Sequence, residues 1–257
     1  MTCDPANVAA RATLLFAVAA MLAACHHAAG PAVAPAPRLL SNATQLVVVT
    51  TPDWDATTGE LRRFVRDDVH APWRGVESAV PIVLGRTGLA WGVGLERAGP
   101  HKQEGDGRSP AGVFALDMAF GFAPADSMRW LRLPYLQLTP TVDCVDDTAS
   151  VHYNAVVDRN AVARVDWQSA EHMRRIGQYR LGVIIDYNSG PAVKGRGSCI
   201  FFHIWGGPRS TTAGCTALDA APLEHMMAWL DARARPVLVQ LPVAVYADVR
   251  GEWRLPE

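Results

Sequence analysis

The chain carries almost no net charge. Its 24 basic and 25 acidic side chains leave −1 over 257 residues and are interleaved along the length. No basic stripe is present, so the electrostatic footprint of a nucleic-acid partner is missing. No internal repeat is visible, which removes solenoid and propeller arrays. No apolar run reaches the roughly 20 residues that a membrane-spanning helix needs. Cysteine is scarce, with five residues at Cys3, Cys25, Cys144, Cys199 and Cys215. Their spacing relative to the histidines matches no common structural zinc site.

What is present begins at the N-terminus. Residues 13–24 are almost wholly apolar, follow Arg11, and end in Leu22-Ala23-Ala24-Cys25. The run suits the apolar region of a secretory signal, although Asp4 leaves the segment before it barely basic. Leu-Ala-Ala-Cys resembles a bacterial lipobox, in which the cysteine becomes the lipidated first residue of the mature chain. An ordinary cleavable signal with an incidental Cys25 is the alternative, and the small residues before the cysteine favour the lipobox. The expectation is a lipoprotein signal peptide over 1–24. It implies a periplasmic protein anchored through Cys25 to a bacterial membrane, with the outer membrane preferred.

Residues 25–43 are rich in Ala and Pro, bury little, and read as a tether. His26 and His27 within it are too few to argue for a metal. Residues 44–257 then form one domain, long enough to bury a sizeable core without disulfides. An exported chain meets an oxidising compartment. With Cys3 removed and Cys25 lipidated, an odd count of three remains. A Cys144–Cys199 disulfide with Cys215 free is the natural partition. Three unpaired buried thiols are the alternative, and no spacing rule decides between them.

The domain reads as mainly β with a few helices. Gln45–Thr50 is β-branched, and Val80–Leu84 and Leu89–Leu95 flank a Gly85–Gly88 turn as a hairpin would. Gly112–Leu116 reads as a strand. Trp130–Leu133 and Tyr135–Leu138 alternate around Pro134 like one half-buried strand with a bulge. Leu181–Ile185 and Cys199–Phe202 read as fully buried strands. A helix is expected over Ser169–Ile176, capped by Ser169 and stopped by Gly177. Another is expected from a cap at Asp219 through Ala234, with Leu223, Met226, Met227 and Leu230 on one face. Pro236 ends it and Val237–Leu241 returns to the sheet. Leu61–Val69 reads as a short helix.

The chemistry concentrates in Ser210-Thr211-Thr212-Ala213-Gly214-Cys215-Thr216, in which Cys215 lies twelve residues after His203. A Cys and a His close in sequence can form a thiolate–imidazolium pair that supports acyl transfer through a thioester. The amides of Gly214 and Cys215 are candidate oxyanion donors, and Gly214 lacks the Cβ that would keep a substrate away. The reading is Cys215 as nucleophile and His203 as base, with no metal or organic cofactor required.

These residues carry a family resemblance. His203 followed by Ser/Thr-x-x-Gly214-Cys215 resembles the YkuD-type L,D-transpeptidase catalytic domain. Lys102–Phe114, with its Gly and Pro residues, looks like that family's segment upstream of a core strand. Residues 143–154, from Asp143-Cys144 to His152-Tyr153-Asn154, are similar to a proteobacterial lipoprotein branch. The likeness spans roughly residues 44–245. It implies a YkuD-like β-sandwich-type catalytic domain acting on peptidoglycan stem peptides. The sequence departs from the pattern at Ala213, where the family often has His, and at Ala217, where Arg is common. A Gly usually follows the family's catalytic His, where this chain has Ile204. Substrate and acceptor are therefore open.

Trp205 and Arg209 form a candidate loop over the cleft, Trp205 to stack on substrate and Arg209 to hold a carboxylate. A plain exposed loop is equally compatible. Tyr153 and Asn154 are candidate pocket residues. Lys102, Glu104 and Asp106 read as a solvated turn. His225 reads as facing solvent or packing on its neighbours, and His70, His101 and His172 have no local constellation. The functions in competition are a transpeptidase-like acyl transferase, a same-fold L,D-carboxypeptidase or hydrolase, and a non-enzymatic wall-binding module. The last would hold zinc through Cys199, His203, Cys215 and Cys144.

Overall fold

The computed structural model describes residues 37–95 and 97–257. The segment read as a signal peptide, Cys25, and His26 and His27 lie outside the described residues. Among the described residues the architecture is mainly β, with three α-helices and a barrel-like sheet. In chain order the strands are β1 (Gln45–Thr51), β2 (Thr58–Val65), β3 (Arg74–Gly75), β4 (Val80–Val83), β5 (Leu89–Trp91), β6 (Ser109–Gly121) and β7 (Tyr135–Gln137). There follow β8 (Val142–Cys144), β9 (Val156–Asp158), β10 (Glu171–His172), β11 (Leu181–Asp186), β12 (Phe201–Ile204), β13 (Thr216–Leu218) and β14 (Val237–Pro242). The helices are α1 (Arg38–Asn42), α2 (Ala220–Trp229) and α3 (Val243–Trp253). None of the described helices is long and apolar enough to cross a membrane.

The sheet runs β1-β14-β6-β11-β12-β13-β4-β2, and β2 pairs back onto β1, so the ring closes. Closure removes open edges from these strands. A separate small sheet, β10-β8-β9, lies off the ring.

Two apolar clusters explain why several strands read as continuous hydrophobic runs. Phe202, Ile204, Ala119 and Val183 point into the barrel core. Their neighbours Phe201 and Phe120 point the opposite way, into a second cluster with Cys144, Met173, Tyr179, Cys199 and Cys215. Strands covered on both faces lose the polar–apolar alternation. The second cluster contains residues of the small sheet, and a Cys144–Cys199 disulfide with Cα atoms 5.9 Å apart joins that sheet to the segment entering β12. Gly182 in β11 makes this packing possible. A Cβ there would sit 2.3 Å from the Phe120 ring and 2.6 Å from the Phe202 carbonyl.

Several expectations are corrected. The Gly85–Gly88 turn exists, with Gly88 N donating to Gly85 O at 2.9 Å, but it makes no hairpin. Both edges of β4 are already taken by β2 and β13, so the chain crosses over and β5 runs parallel to β6. Leu61–Val65 is strand β2 rather than helix. The buried Arg63, stacked 5.3 Å over Trp229, disguises its inward face. Ser169–Ile176 is not a helix: Glu171 and His172 pair with β8, and a 3₁₀ turn follows at Met173–Arg175. Of the bulged strand around Pro134, only β7 forms.

α2 starts where expected, with Asp219 Oδ1 accepting from Ala220 N at 2.6 Å, but it ends at Trp229 because Leu230 is extended. α3 follows β14 directly and buries Val249 and Trp253. The packed body also begins before Thr44, since Leu40 of α1 and Ala43 are buried in the core.

Candidate functional site

Strands β12 and β13 run parallel, with Phe202 opposite Thr216 and His203 opposite Ala217. Side chains alternate along a strand, so Cys215 lies on the face shared by Phe201 and His203, offset two residues from the histidine. That face floors a cleft of about 410 Å³. Its walls come from the Lys102–Gly105 loop, Asp146, Glu171, Tyr179, Ser198, Trp205 and the Ser210–Gly214 turn.

Cys215 is the free cysteine among the described residues, and it is 5% exposed. Its Sγ accepts from the Phe201 amide and donates to the Cys199 carbonyl, each at 3.3 Å. Its carbonyl accepts from Ser109 Oγ at 3.1 Å and from Thr212 Oγ1 at 2.6 Å, which pins the backbone under the sulfur. The Gly214 amide donates to Thr212 Oγ1 at 3.2 Å, so one proposed oxyanion donor already has a partner.

His203 is 8% exposed, and its Nδ1 lies 2.8 Å from the Ile204 carbonyl. A carbonyl only accepts, so Nδ1 carries the proton and Nε2 keeps its lone pair. Burial lowers the His203 pKa. Burial pushes the Cys215 thiol up, the Glu171 carboxylate adds to that, and the Phe201 amide, Tyr179 hydroxyl and Lys102 partly oppose it. The resting pair is therefore a neutral thiol and a neutral imidazole, in place of the ion pair expected from spacing. Desolvation disfavours the charged form of each group.

Other expectations change as well. Trp205 lines the cleft and is half-buried, whereas Arg209 is exposed and does not reach the cleft lining. Tyr153 stands behind the wall, its hydroxyl donating to Glu104 Oε2 at 2.6 Å. Asn154 is a backbone clamp: its Nδ2 donates to the carbonyls of Tyr187 and Asn188, and its Oδ1 accepts from the Cys199 amide at 2.9 Å. The solvated turn at Lys102, Glu104 and Asp106 is instead a built wall. Lys102 is 2% exposed, and its Nζ lies 2.6 Å from Asp106 Oδ1. Ser198 Oγ donates to Glu104 Oε2 at 2.7 Å. Gly105 and Gly107, both with positive φ, turn the chain so that these side chains face inward.

His172 also has a constellation. Its Nδ1 lies 2.8 Å from Asp143 Oδ1, and the fully buried Asp143 is also approached by Arg159 and Trp167. A zinc site using Cys144, Cys199, His203 and Cys215 loses two thiolates to the disulfide, and no metal-ligating cluster of three occurs among the described residues.

Glu171 and Tyr179 are the cleft residues that sequence reasoning missed. Glu171 sits in a segment that reads as helix, and nothing in Gly177-Gln178-Tyr179 marks the tyrosine as part of a site. Glu171 Oε2 accepts the Tyr179 hydroxyl at 2.7 Å. Although part of the side chain is open to the cleft, protein surrounds the carboxyl itself. Burial pushes its pKa up to about 7, with Asp146 and Glu104 adding to the shift. No protein-family model matches the chain, and no curated protein or solved structure is significantly similar to it.

Proposed function

We propose that this chain is a cysteine-dependent acyl transferase of the YkuD-like, L,D-transpeptidase type, with a sandwich-type YkuD fold, acting on peptidoglycan stem peptides. In this reading it is a periplasmic protein held to a bacterial membrane through a lipid on Cys25. The observation that carries the chemistry is the free thiol of Cys215 on the same sheet face as His203, at the floor of a cleft. A donor peptide enters with its scissile carbonyl over Cys215. His203 Nε2 takes the thiol proton, and sulfur bonds to the carbonyl carbon while the carbonyl oxygen gains the charge. The Cys215 amide, and the Gly214 amide once released from Thr212, stabilise that oxygen. Collapse breaks the C–N bond, and His203 returns its proton to the departing amine, a terminal D-alanine in the transpeptidase reading. A neighbouring stem amine then attacks the thioester.

Water in place of the amine gives the hydrolase reading. It is favoured by one feature: Ala217 is fully buried between His203 and Val83, leaving no cation where the resembled family has arginine.

The test incubates the full chain with muropeptide tetrapeptides, with and without an amine acceptor, and follows products by mass spectrometry. Cross-linked or exchanged products that vanish in Cys215→Ala and His203→Ala support transfer. Tripeptide alone, insensitive to acceptor, supports hydrolysis. Undiminished turnover by Cys215→Ala refutes the mechanism.

A further inference from the structure

Arg86 and Lys102 both line the cleft, but Arg86 is exposed whereas Lys102 is 2% exposed. The Lys102 side chain runs between two glycines. A Cβ on Gly197 would sit 2.9 Å from Lys102 Cε and 3.1 Å from Nζ, and one on Gly214 would sit 4.0 Å from Cε. Gly214 is the residue bonded to Cys215, so the ammonium lies buried beside the reactive turn. An ammonium has three donors. The Gln103 carbonyl takes one at 2.7 Å and Asp106 Oδ1 takes another at 2.6 Å. The third has no partner among the described residues. Asp106 is itself shared, its Oδ1 accepting from the Arg108 amide and its Oδ2 from the Gln103 amide, each at 2.8 Å. With its charge spread over three donors, that carboxylate orients Lys102 without fully neutralising it. Burying an ammonium carries a desolvation cost that a lysine in water avoids. Here the buried charge stands where acyl transfer would create a negative one.

We propose that Lys102 is a catalytic residue that donates a hydrogen bond to the oxyanion formed when Cys215 adds to an acyl carbon. As sulfur bonds to that carbon, the carbonyl π pair moves onto oxygen, which becomes anionic. Lys102 donates to this oxygen and keeps its proton. When the pair returns to the carbon–oxygen bond, the bond to the leaving group breaks, and His203 supplies the leaving amine with its proton. Two features of the cleft call for a cation. The Gly214 amide is engaged by Thr212 Oγ1, which leaves the backbone short of free donors. Glu104, Asp146 and Glu171 also line the cleft, and like charges disfavour a further anion among them. Donors fixed before the reaction stabilise an oxyanion best, and Lys102 is fixed by two hydrogen bonds and two glycine walls.

The inference rests on Cys215 being the reactive thiol of the proposed function, but its test needs no peptide. Two reactions of the same thiol are compared in the full chain at about pH 8, near ordinary thiol ionisation. Acylation by p-nitrophenyl acetate passes through an oxyanion and is followed as initial p-nitrophenol release, with the Cys215→Ala rate subtracted. Alkylation by iodoacetamide displaces iodide at a saturated carbon and forms no oxyanion. It is followed by mass spectrometry of the tryptic peptide Ser210–Arg233, which separates Cys215 from Cys3 and Cys25. Thiol ionisation and access affect both reactions, so the ratio of acylation to alkylation isolates the oxyanion. Lys102 also favours an ionised Cys215, and that effect cancels in the ratio.

The wild-type ratio should exceed that of N-acetylcysteine about 100-fold, the effect of one oxyanion donor. Lys102→Met, similar in length but uncharged, should remove about 100-fold from the ratio. Lys102→Gln keeps a neutral donor and should remove about tenfold. Either variant that folds decides the matter. A wild-type ratio equal to that of N-acetylcysteine overturns the proposal even if neither variant folds. A ratio unchanged in the variants, with both rates moving together, makes Lys102 a structural residue and overturns it too. If the ratio stays flat while Cys215→Ala still abolishes peptide turnover, acyl transfer stands with backbone donors alone. A ratio that falls as expected, without turnover of any stem peptide, keeps Lys102 in its role and removes the proposed substrate.

Discussion

Replacing Glu171 by glutamine should change how the stability of the fold depends on pH. In the folded chain this carboxyl is raised from an ordinary value of 4.5 to about 7, burial being the largest cause. The unfolded chain has no such environment, so between those values the folded state binds more protons. The neutral carboxyl suits the fold fully below about pH 4.5, and that advantage is lost as pH rises through about 7. At about 1.4 kcal/mol per pKa unit the loss is at most about 3 kcal/mol. Hydration from the open side of the cleft reduces it to about 2 kcal/mol. Glutamine is uncharged throughout, so the variant lacks this decline. The assay is urea unfolding of both proteins at intervals from about pH 4.5 to 8, comparing their difference in free energy so that other carboxylates cancel. The variant should gain about 2 kcal/mol relative to wild type across the range. A difference that stays flat refutes the buried, proton-retaining carboxyl.

Reduction of the Cys144–Cys199 bond, or its replacement by serines, should destabilise the fold by about 4 kcal/mol on loop-closure entropy for a separation of 55 residues. Urea unfolding with and without reductant measures this, and a loss under about 1 kcal/mol counts against the small sheet depending on that tether. Gly182→Ala should cost about 3 kcal/mol or prevent folding, because its Cβ meets the Phe120 ring and the Phe202 carbonyl. A thermal midpoint equal to wild type would show that this contact relaxes freely.

Much of the fold was legible wherever local chemistry decides. The β-branched run at Gln45–Thr50, the Asp219 cap and the return strand after Pro236 all stand in the structure. The misread segments share a cause. Leu61–Val65 and Glu171–His172 carry inward polar side chains, Arg63 stacked on Trp229 and Glu171 bonded to Tyr179, that are tolerable only with partners the folded chain supplies. Their strand character follows from pairing with β1, β4 and β8, which no local window contains. The hairpin at Gly85 failed similarly, because occupation of both β4 edges is a property of the closed ring.

The site divides along the same line. Sequence spacing singled out Cys215 and His203 as candidates, and the fold brings them to one sheet face, His203 in β12 and Cys215 just before β13. Their protonation was decided only by the tertiary structure. Ionisation depends on how much water and charge surround each group, and that environment comes from Lys102, Glu104, Asp146, Glu171 and Tyr179, brought in by loops far apart in the chain. Periodicity and motifs record which residues lie on one strand face. The field at a sulfur atom is a sum over neighbours in space, and only the closed barrel with its disulfide-tied sheet sets those distances.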